Sequence, residues 1–402
     1  MGASMLTELI TGLRLQTPGL AQGLHFNNGG AGLPSQATLD AVIGQLQLEA
    51  RLGPMEAAAA AQEGVDRARA NAARLINASV GEIAFASSGS SALGLAVAAL
   101  LSTNKPLQAG ERILVGRQEW GGSLATYQRI AQRTGATVEV IPCREDGSVD
   151  PEALAPMLDA RVRLVSLTWL PANGGLINDA AAIGRITRAA GVPYLIDAGQ
   201  AVGQLPVDVQ ALGCDILKSA GRKHLRGPRG TALLYVRQAL LEQLEPVFVD
   251  VQSAAWTEDQ ARLRSDAQMF ETSESSLALT LGLGAALELA TRLDLAQAFA
   301  RVQRLAEQLR EALRELPGIT VQDLGGPGRS GLVSFTVAGI AAAEVKRRLA
   351  LQNIEVGANG VPYTPLDMQA RGLDGIVRAT LSYLNTEDEV QRLVEALARL
   401  KS

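Results

Sequence analysis

The 402-residue sequence predicts an α/β protein: a large doubly wound, mostly parallel sheet followed by a smaller C-terminal α+β domain. Three observations predict it. Short apolar runs alternate with longer helical stretches between residues 82 and 236. Several of these runs are unbroken, as in strands buried on both faces. Polar and charged residues collect just after the runs, where the ligand crevice of such a sheet lies. Three units are expected: an N-terminal segment over 1–25, a large domain over 26–276 and a small domain over 277–402.

In chain order, Leu6 to Leu15 reads as a short amphipathic helix followed by a linker. The loop from Phe26 to Pro34 is rich in glycine, which turns the chain or lets a ligand approach the backbone closely; Asn28 and Gly29 stand in it. Residues 36–77 are helical in composition with a Gly53-Pro54 break. Glu82 to Ala86 is a strand, after which Ser87-Ser88-Gly89-Ser90-Ser91 opens an apolar helix to Leu101. Hydroxyls and free N–H groups at a helix N-terminus suit a dianion, although serine also caps helices that bind nothing. Strands are expected at Arg112 to Gly116, Val138 to Pro142 and Val162 to Trp169, with helices between them; Glu119-Trp120 and Asn173 lie beyond strand ends. After a helix from Asp179 to Ala190, the run Val192 to Ile196 ends in Asp197, a carboxylate at a strand's carboxyl end.

The run Cys214 to Ser219 leads into Gly221-Arg222-Lys223-His224-Leu225-Arg226-Gly227-Pro228-Arg229-Gly230, so Lys223 is presented from a constrained turn before the strand Ala232 to Val236. Pro246 to Trp256 reads as irregular, and a polar interruption at 270–276 precedes one or two long helices over 277–316. The remainder reads as strands near 319–322, 332–337 and 377–381, with helices at 341–351 and 387–400. The sites after the strands all fall on one edge of the predicted sheet.

Composition bounds the function. Hydrophobic residues make up 47% of the chain and the net charge is -4, so no general attraction to nucleic acid or anionic lipid is expected. Two cysteines and two histidines supply neither a disulfide scaffold nor metal-ligand spacing, and no metal is expected. No run reaches about 18 uninterrupted apolar residues, and a cytoplasmic protein without a membrane contact is expected.

The runs DAGQAVGQ at 197–204 and GRKHLRGPRG at 221–230 resemble the pyridoxal phosphate (PLP) signature of the class V aminotransferase family, a fold-type I group. The resemblance extends from Phe26 to the C-terminal helix and is nearest the branch carrying the isopenicillin N epimerases. It implies that Lys223 forms an aldimine with the cofactor and acts as base at Cα, and that Asp197 pairs with the ring nitrogen. It further implies a phosphate held by Ser88, Gly89, Ser90, Ser91 and Arg222, a ring stacked on Trp120, and a phenolic oxygen reached by Gln200. Asn173 or Ala172 falls at a polar cofactor position, and only Asn173 would keep that contact. Asn28, Gly29 and Arg378 line the substrate pocket, Arg378 holding the α-carboxylate. Glu274 falls where the family has a threonine reaching the partner subunit's phosphate, with Thr272 or Ser273 as substitutes. A homodimer acting on an amino acid is implied.

Cα deprotonation has three possible outcomes, and branch resemblance ranks racemisation or epimerisation first, transamination second and Cβ–S lysis third. Racemisation needs a second acid or a mobile Lys223; Tyr363 and Tyr383 are candidates. Cysteine desulfurase activity is discounted because neither Cys143 nor Cys214 lies in the C-terminal domain. A PLP-binding homologue without turnover is the reading from another class.

Overall fold

The computed structural model describes residues 3–400; the first two and last two residues of the expected terminal segments lie outside the described residues. In chain order the strands are β1 (Leu24–Phe26), β2 (Ile83–Ala86), β3 (Arg112–Val115), β4 (Thr137–Val140), β5 (Val162–Thr168), β6 (Tyr194–Asp197) and β7 (Ile216–Lys218). They continue as β8 (Ala232–Val236), β9 (Ala254–Thr257), β10 (Gln260–Leu263), β11 (Ile319–Val321), β12 (Leu332–Val337), β13 (Ile354–Gly360) and β14 (Gly375–Thr380).

The larger sheet has the order β2-β8-β7-β6-β5-β3-β4. Strands β7, β6, β5, β3 and β4 pair in parallel, whereas β8 runs antiparallel to both β2 and β7. The inner strands are mostly apolar because both of their faces are covered, whereas the edge strand β4, TVEV, is partly exposed. Ile113, Val115, Leu164 and Leu195 enter the core beneath the helices Gly89–Leu101 and Gly121–Thr134. Leu114, Val165, Leu167 and Ile196 enter the opposite core, with Ile183 of the helix Ala180–Ala190 and Leu283 of the helix Leu277–Arg292. Period-2 side-chain alternation thus feeds two apolar layers.

Local chemistry sets the helix ends. Gly53 takes φ 95° and Pro54 occupies the first turn of Pro54–Ile76, which enforces the break read from the sequence. Asp179 accepts a hydrogen bond from the Ala182 amide and starts the helix that returns to β6.

The smaller sheet, β1-β13-β14-β12-β11, packs on the helices Leu295–Glu315 and Glu387–Ala398. Leu6, Ile10 and Leu13 of the first helix join this core, and Leu24–Phe26 pairs in parallel with β13. Two of the elements that differ from expectation bear on the small sheet and the surface. The hairpin β9–β10 begins within the stretch read as irregular. Strand β13, IEVGANG, carries two glycines and an asparagine that hide its periodicity. A Cβ at Gly357 would lie 3.4 Å from Nε and Nη2 of Arg378 on β14, so glycine keeps room beside that guanidinium.

Candidate active site

A cavity of about 580 Å³ opens at the carboxyl ends of β5, β6 and β7, where the strand order reverses between β5 and β3, and β13 and β14 of the smaller sheet close its far wall. Asp197 ends β6. Its Oδ1 accepts from the Gly199 amide at 2.9 Å, and its Oδ2 pairs with Lys218 Nζ at 2.5 Å.

Lys223 comes from a clasped loop. Gly221 donates to Thr231 O at 2.9 Å and Gly227 to Gly221 O at 2.8 Å. Arg226, held at φ 63°, donates to Leu33 O and Thr17 Oγ1, which ties the clasp to the glycine-rich segment. The Lys223 amine faces the cavity, 5.9 Å from the Trp120 ring centroid, and Trp120 in turn meets Tyr363 edge to face at 5.4 Å. Burial among protein atoms pulls the Lys223 pKa down to about 7, against the opposing pull of Asp197 and with help from Lys218, Arg222 and Arg378. The free amine is the form that attacks the cofactor's aldehyde, so its fraction grows as pH rises through its pKa. Cofactor capture by the apo-protein, monitored by absorbance, is therefore expected to accelerate through pH ~7 and level off well below the ordinary lysine range.

Glu119, beside Trp120, is buried and accepts from Thr168 Oγ1 at 3.2 Å and Ser166 Oγ at 3.3 Å. Burial first and Asp197 second push its pKa up to about 8, so it is neutral at pH 7. His224, between Gln200 and Gln204 at 3.1 Å from each, is pulled down to about 3 by burial and then by Lys223 and Arg378, and stays neutral.

At the helix Gly89–Leu101, the Ser88 and Ser91 hydroxyls close a reciprocal capping box, while Ser90 lines the cavity without a hydrogen bond among the described residues. Lys218, Arg222, Lys223, Arg229, Lys346 and Arg378 also border the cavity, with Asp197 as the acid among its lining residues. That excess of positive charge fits a phosphorylated cofactor and an anionic substrate. The residues present thus fit PLP: an amine of lowered pKa, an indole face, a carboxylate at a strand end and an open helix N-terminus.

Most of the sequence-predicted residues converge here: Gly29, Ser88, Gly89, Ser90, Trp120, Asp197, Gln200, Arg222, Lys223 and Arg378 line the cavity. Three do not. Asn28 turns away and donates to Thr380 O at 2.8 Å, and Asn27 takes its place on the wall. Asn173 donates to Thr364 Oγ1 at 2.9 Å and lines a separate small void, leaving Ala172 at the cavity. Ser91 spends its hydroxyl on the cap. Of the candidate second acids, Tyr363 borders the cavity, whereas Tyr383 is buried and accepts from Arg226 at 3.2 Å. Ser273 donates to Asp250, and its neighbour Glu274 is exposed, outside this cavity's wall. Sequence patterning does not single out Lys218, Glu119, Asn359 or Lys346. For Lys218 the available signal is its place at the end of the strand next to that of Asp197.

A doubly wound sheet whose switch-point cavity presents a lysine, a carboxylate and an anion-binding helix end defines a PLP-dependent enzyme of fold type I. The chain belongs to the aminotransferase class-V family, whose model matches residues 27–393. A cysteine desulfurase of Salmonella agona (strain SL483) is 32% identical over 353 residues, covering 85% of this chain and 84% of the relative. The crystal structure of the cysteine desulfurase CsdA from Escherichia coli superposes with TM-score 0.87 at 26% identity, covering 97% of this chain and 98% of that one. The cystine C–S lyase C-DES, solved with its reaction product cysteine persulfide, superposes with TM-score 0.85 at 26% identity, covering 95% and 99%.

These relatives correct the expected chemistry. They are named for cleaving or mobilising sulfur, not for racemisation or epimerisation, so ranking epimerisation first was wrong. The branch resemblance misled because the shared residues serve Cα deprotonation, which all three outcomes require. Among the described residues, no helix is long and apolar enough to cross a membrane.

Proposed function

We propose that the protein is a PLP-dependent carbon–sulfur lyase that cleaves the Cβ–S bond of a cysteine-type amino acid without passing sulfur to a cysteine of its own. One observation carries the second half of this reading: neither cysteine borders the cavity. Cys214 is buried at the start of the β7 segment, and burial pushes its thiol well above the ordinary range. Cys143 lies 3.8 Å from Gln118 Nε2, and its thiol is also raised, chiefly by burial. Similarity to the cystine C–S lyase and to the desulfurases supports the first half.

PLP, when bound, supplies the electron demand that acidifies Cα. Lys223 takes the Cα proton; the electron pair left behind forms the Cα–Cβ double bond while the Cβ–S pair departs with sulfur. Arg378 would anchor the α-carboxylate, Trp120 would hold the ring, Gln200 would reach its phenolic oxygen, and Ser88, Ser90 and Arg222 with the helix N-terminus would hold the phosphate. Hydrolysis of the unsaturated amine yields pyruvate and ammonia.

The test is product analysis with L-cystine and L-cysteine. Pyruvate and ammonia are expected in equal amounts, at a rate unchanged in the Cys143→Ser/Cys214→Ser variant. Alanine as the organic product, lost together with either cysteine, would instead mean sulfur transfer through the protein's own thiol.

A homodimer is part of this proposal. Leu39, Ile43 and Leu46 form an exposed apolar stripe at helical spacing, and Phe248 and Trp256 are more than half exposed. Sedimentation is expected to give about twice the 42.1 kDa of the chain; a value near one chain would refute it.

A further inference from the structure

Tyr363 has no part in the scheme above, yet it borders the same cavity as Arg378 and Lys223, and its position is firmly built. Val361–Tyr363 is a single short turn between β13 and the helix Pro365–Ala370, with Pro362 inside it. Asn173 brackets that turn, donating to Gly360 O at 3.4 Å and to Thr364 Oγ1 at 2.9 Å. On its other side the turn lies against the start of the helix that follows Trp120. A Cβ at Gly121 would collide with Pro362 O, so only glycine admits this approach. Together these contacts deliver the Tyr363 ring to its edge-to-face position on Trp120. Asn173, expected from the sequence to touch the cofactor, instead holds the segment that carries this tyrosine.

The Tyr363 hydroxyl is uncommitted. The residue is 38% exposed and makes no hydrogen bond among the described residues. It lies near both Arg222 and Arg378, since charge on its oxygen favours the charged form of each guanidinium. In the scheme above Arg222 answers the phosphate and Arg378 the α-carboxylate, so Tyr363 stands near the groups that fix both ends of the reacting assembly.

Elimination needs a proton at sulfur as well as a base at Cα, because a thiolate leaves less readily than a neutral thiol. Few donors on the cavity wall suit that task. Neither cysteine is there, and the hydroxyls of Ser88 and Ser90 are far weaker acids than a thiol. Lys218 is paired with Asp197, and Lys223 is assigned to Cα. A phenol and a thiol are acids of comparable strength, so a proton passes between them at little cost. Lys346 is the rival donor.

We propose that Tyr363 is the acid for the leaving sulfur: as the Cβ–S bond breaks and its electron pair goes to sulfur, the Tyr363 hydroxyl proton goes to the same atom, which departs as a neutral thiol or hydrogen sulfide. The phenolate left behind regains a proton from water before the next turnover. This role rests on the carbon–sulfur lyase reading.

The experiment uses Tyr363→Phe, which keeps the ring on Trp120 and removes only the hydroxyl. L-cysteine is compared with β-chloro-L-alanine, a substrate of nearly the same size whose chloride leaves without a proton. Pyruvate release from L-cysteine is expected to fall about 10²-fold in Tyr363→Phe, and release from β-chloro-L-alanine to change by less than about twofold. A second readout needs no turnover: absorbance titration of the cofactor-loaded protein with L-serine and L-alanine, the serine hydroxyl standing in for sulfur. The unaltered protein is expected to prefer L-serine by about threefold to tenfold, and Tyr363→Phe to bind the two alike. Equal losses on L-cysteine and β-chloro-L-alanine overturn the proposal, as does a serine preference that survives in Tyr363→Phe. A loss confined to L-cysteine in Lys346→Met, and absent from Tyr363→Phe, overturns it in favour of Lys346. If the unaltered protein releases pyruvate from β-chloro-L-alanine but from neither L-cysteine nor L-cystine, the lyase reading is what fails. Loss of the serine preference in Tyr363→Phe would then still uphold the placement of Tyr363 at the Cβ substituent.

Discussion

Replacement of Lys223 by alanine is expected to abolish turnover, lowering kcat by roughly 10⁴-fold or more. A positioned general base alone contributes about 10²–10⁴-fold, and the substitution also removes the covalent anchor of the cofactor. The fold should not change. Among the described residues Lys223 Nζ makes no hydrogen bond or ion pair, and the clasp around it is closed by main-chain bonds and by Arg226. Loss of a buried cation of lowered pKa also removes repulsion toward Lys218, Arg222 and Arg378, so the melting temperature should hold or rise. Cofactor should still bind without a covalent bond, through Asp197, Arg222 and the helix N-terminus. Product assays, absorbance spectra and a thermal melt on the same preparation check all three. Residual turnover within tenfold of the unaltered protein would remove Lys223 from its proposed role and leave Lys218, the other amine beside Asp197 at this cavity, to be tried in its place.

How far the sequence revealed this site depends on what holds each residue. The larger sheet was legible because β6 and β8 are buried along their whole length and so are written as mainly apolar runs. Asp197 and Lys223 were legible because one ends such a run and the other sits in a glycine and proline clasp, which local chemistry imposes. Strand β13 was not, because Gly357 answers to Arg378 on the neighbouring strand, a contact between residues far apart in sequence. Lys218 read as one more strand residue. Its partner is set by the register between β6 and β7, which exists only once both strands have paired. Asn28, Ser91 and Asn173 show the limit of reading loops: each lies next to a residue that does border the cavity, and a one-residue change of phase decides which side chain faces it. Reaction type was least legible. The residues that bind PLP and move the Cα proton are shared by racemisation, transamination and elimination, and the placement of both cysteines away from the cavity is a fact of the fold, not of any motif.

Truncation of Arg378 to alanine is expected to lower kcat/KM by about 10²–10³-fold, corresponding to roughly 3–4 kcal/mol for the loss of a buried charge-assisted contact with the α-carboxylate. Arg378 enters the cavity from β14, buried to 3% exposure, with Nη1 donating to Ala172 O at 2.7 Å and Nε without an acceptor. Burial brings its pKa down to about 10, which still leaves it fully charged at pH 7. A buried guanidinium with an unsatisfied donor beside an anion-seeking cavity is a binding group awaiting its ligand. Gly29 and Gly357 flank it, and a Cβ at either would lie within 3.4 Å of the guanidinium, so the slot is kept clear on both sides. Part of the loss in Arg378→Ala will be structural, since Ala172 O is left with only the longer bond from Asn359 Nδ2, at 3.3 Å. A substrate comparison separates the two parts. The unaltered protein should discriminate strongly between L-cystine and its decarboxylated analogue cystamine, whereas Arg378→Ala should treat them nearly alike. If both proteins show the same ratio of kcat/KM for the two compounds, Arg378 does not read the carboxylate and its burial serves only the packing of β13 against β14.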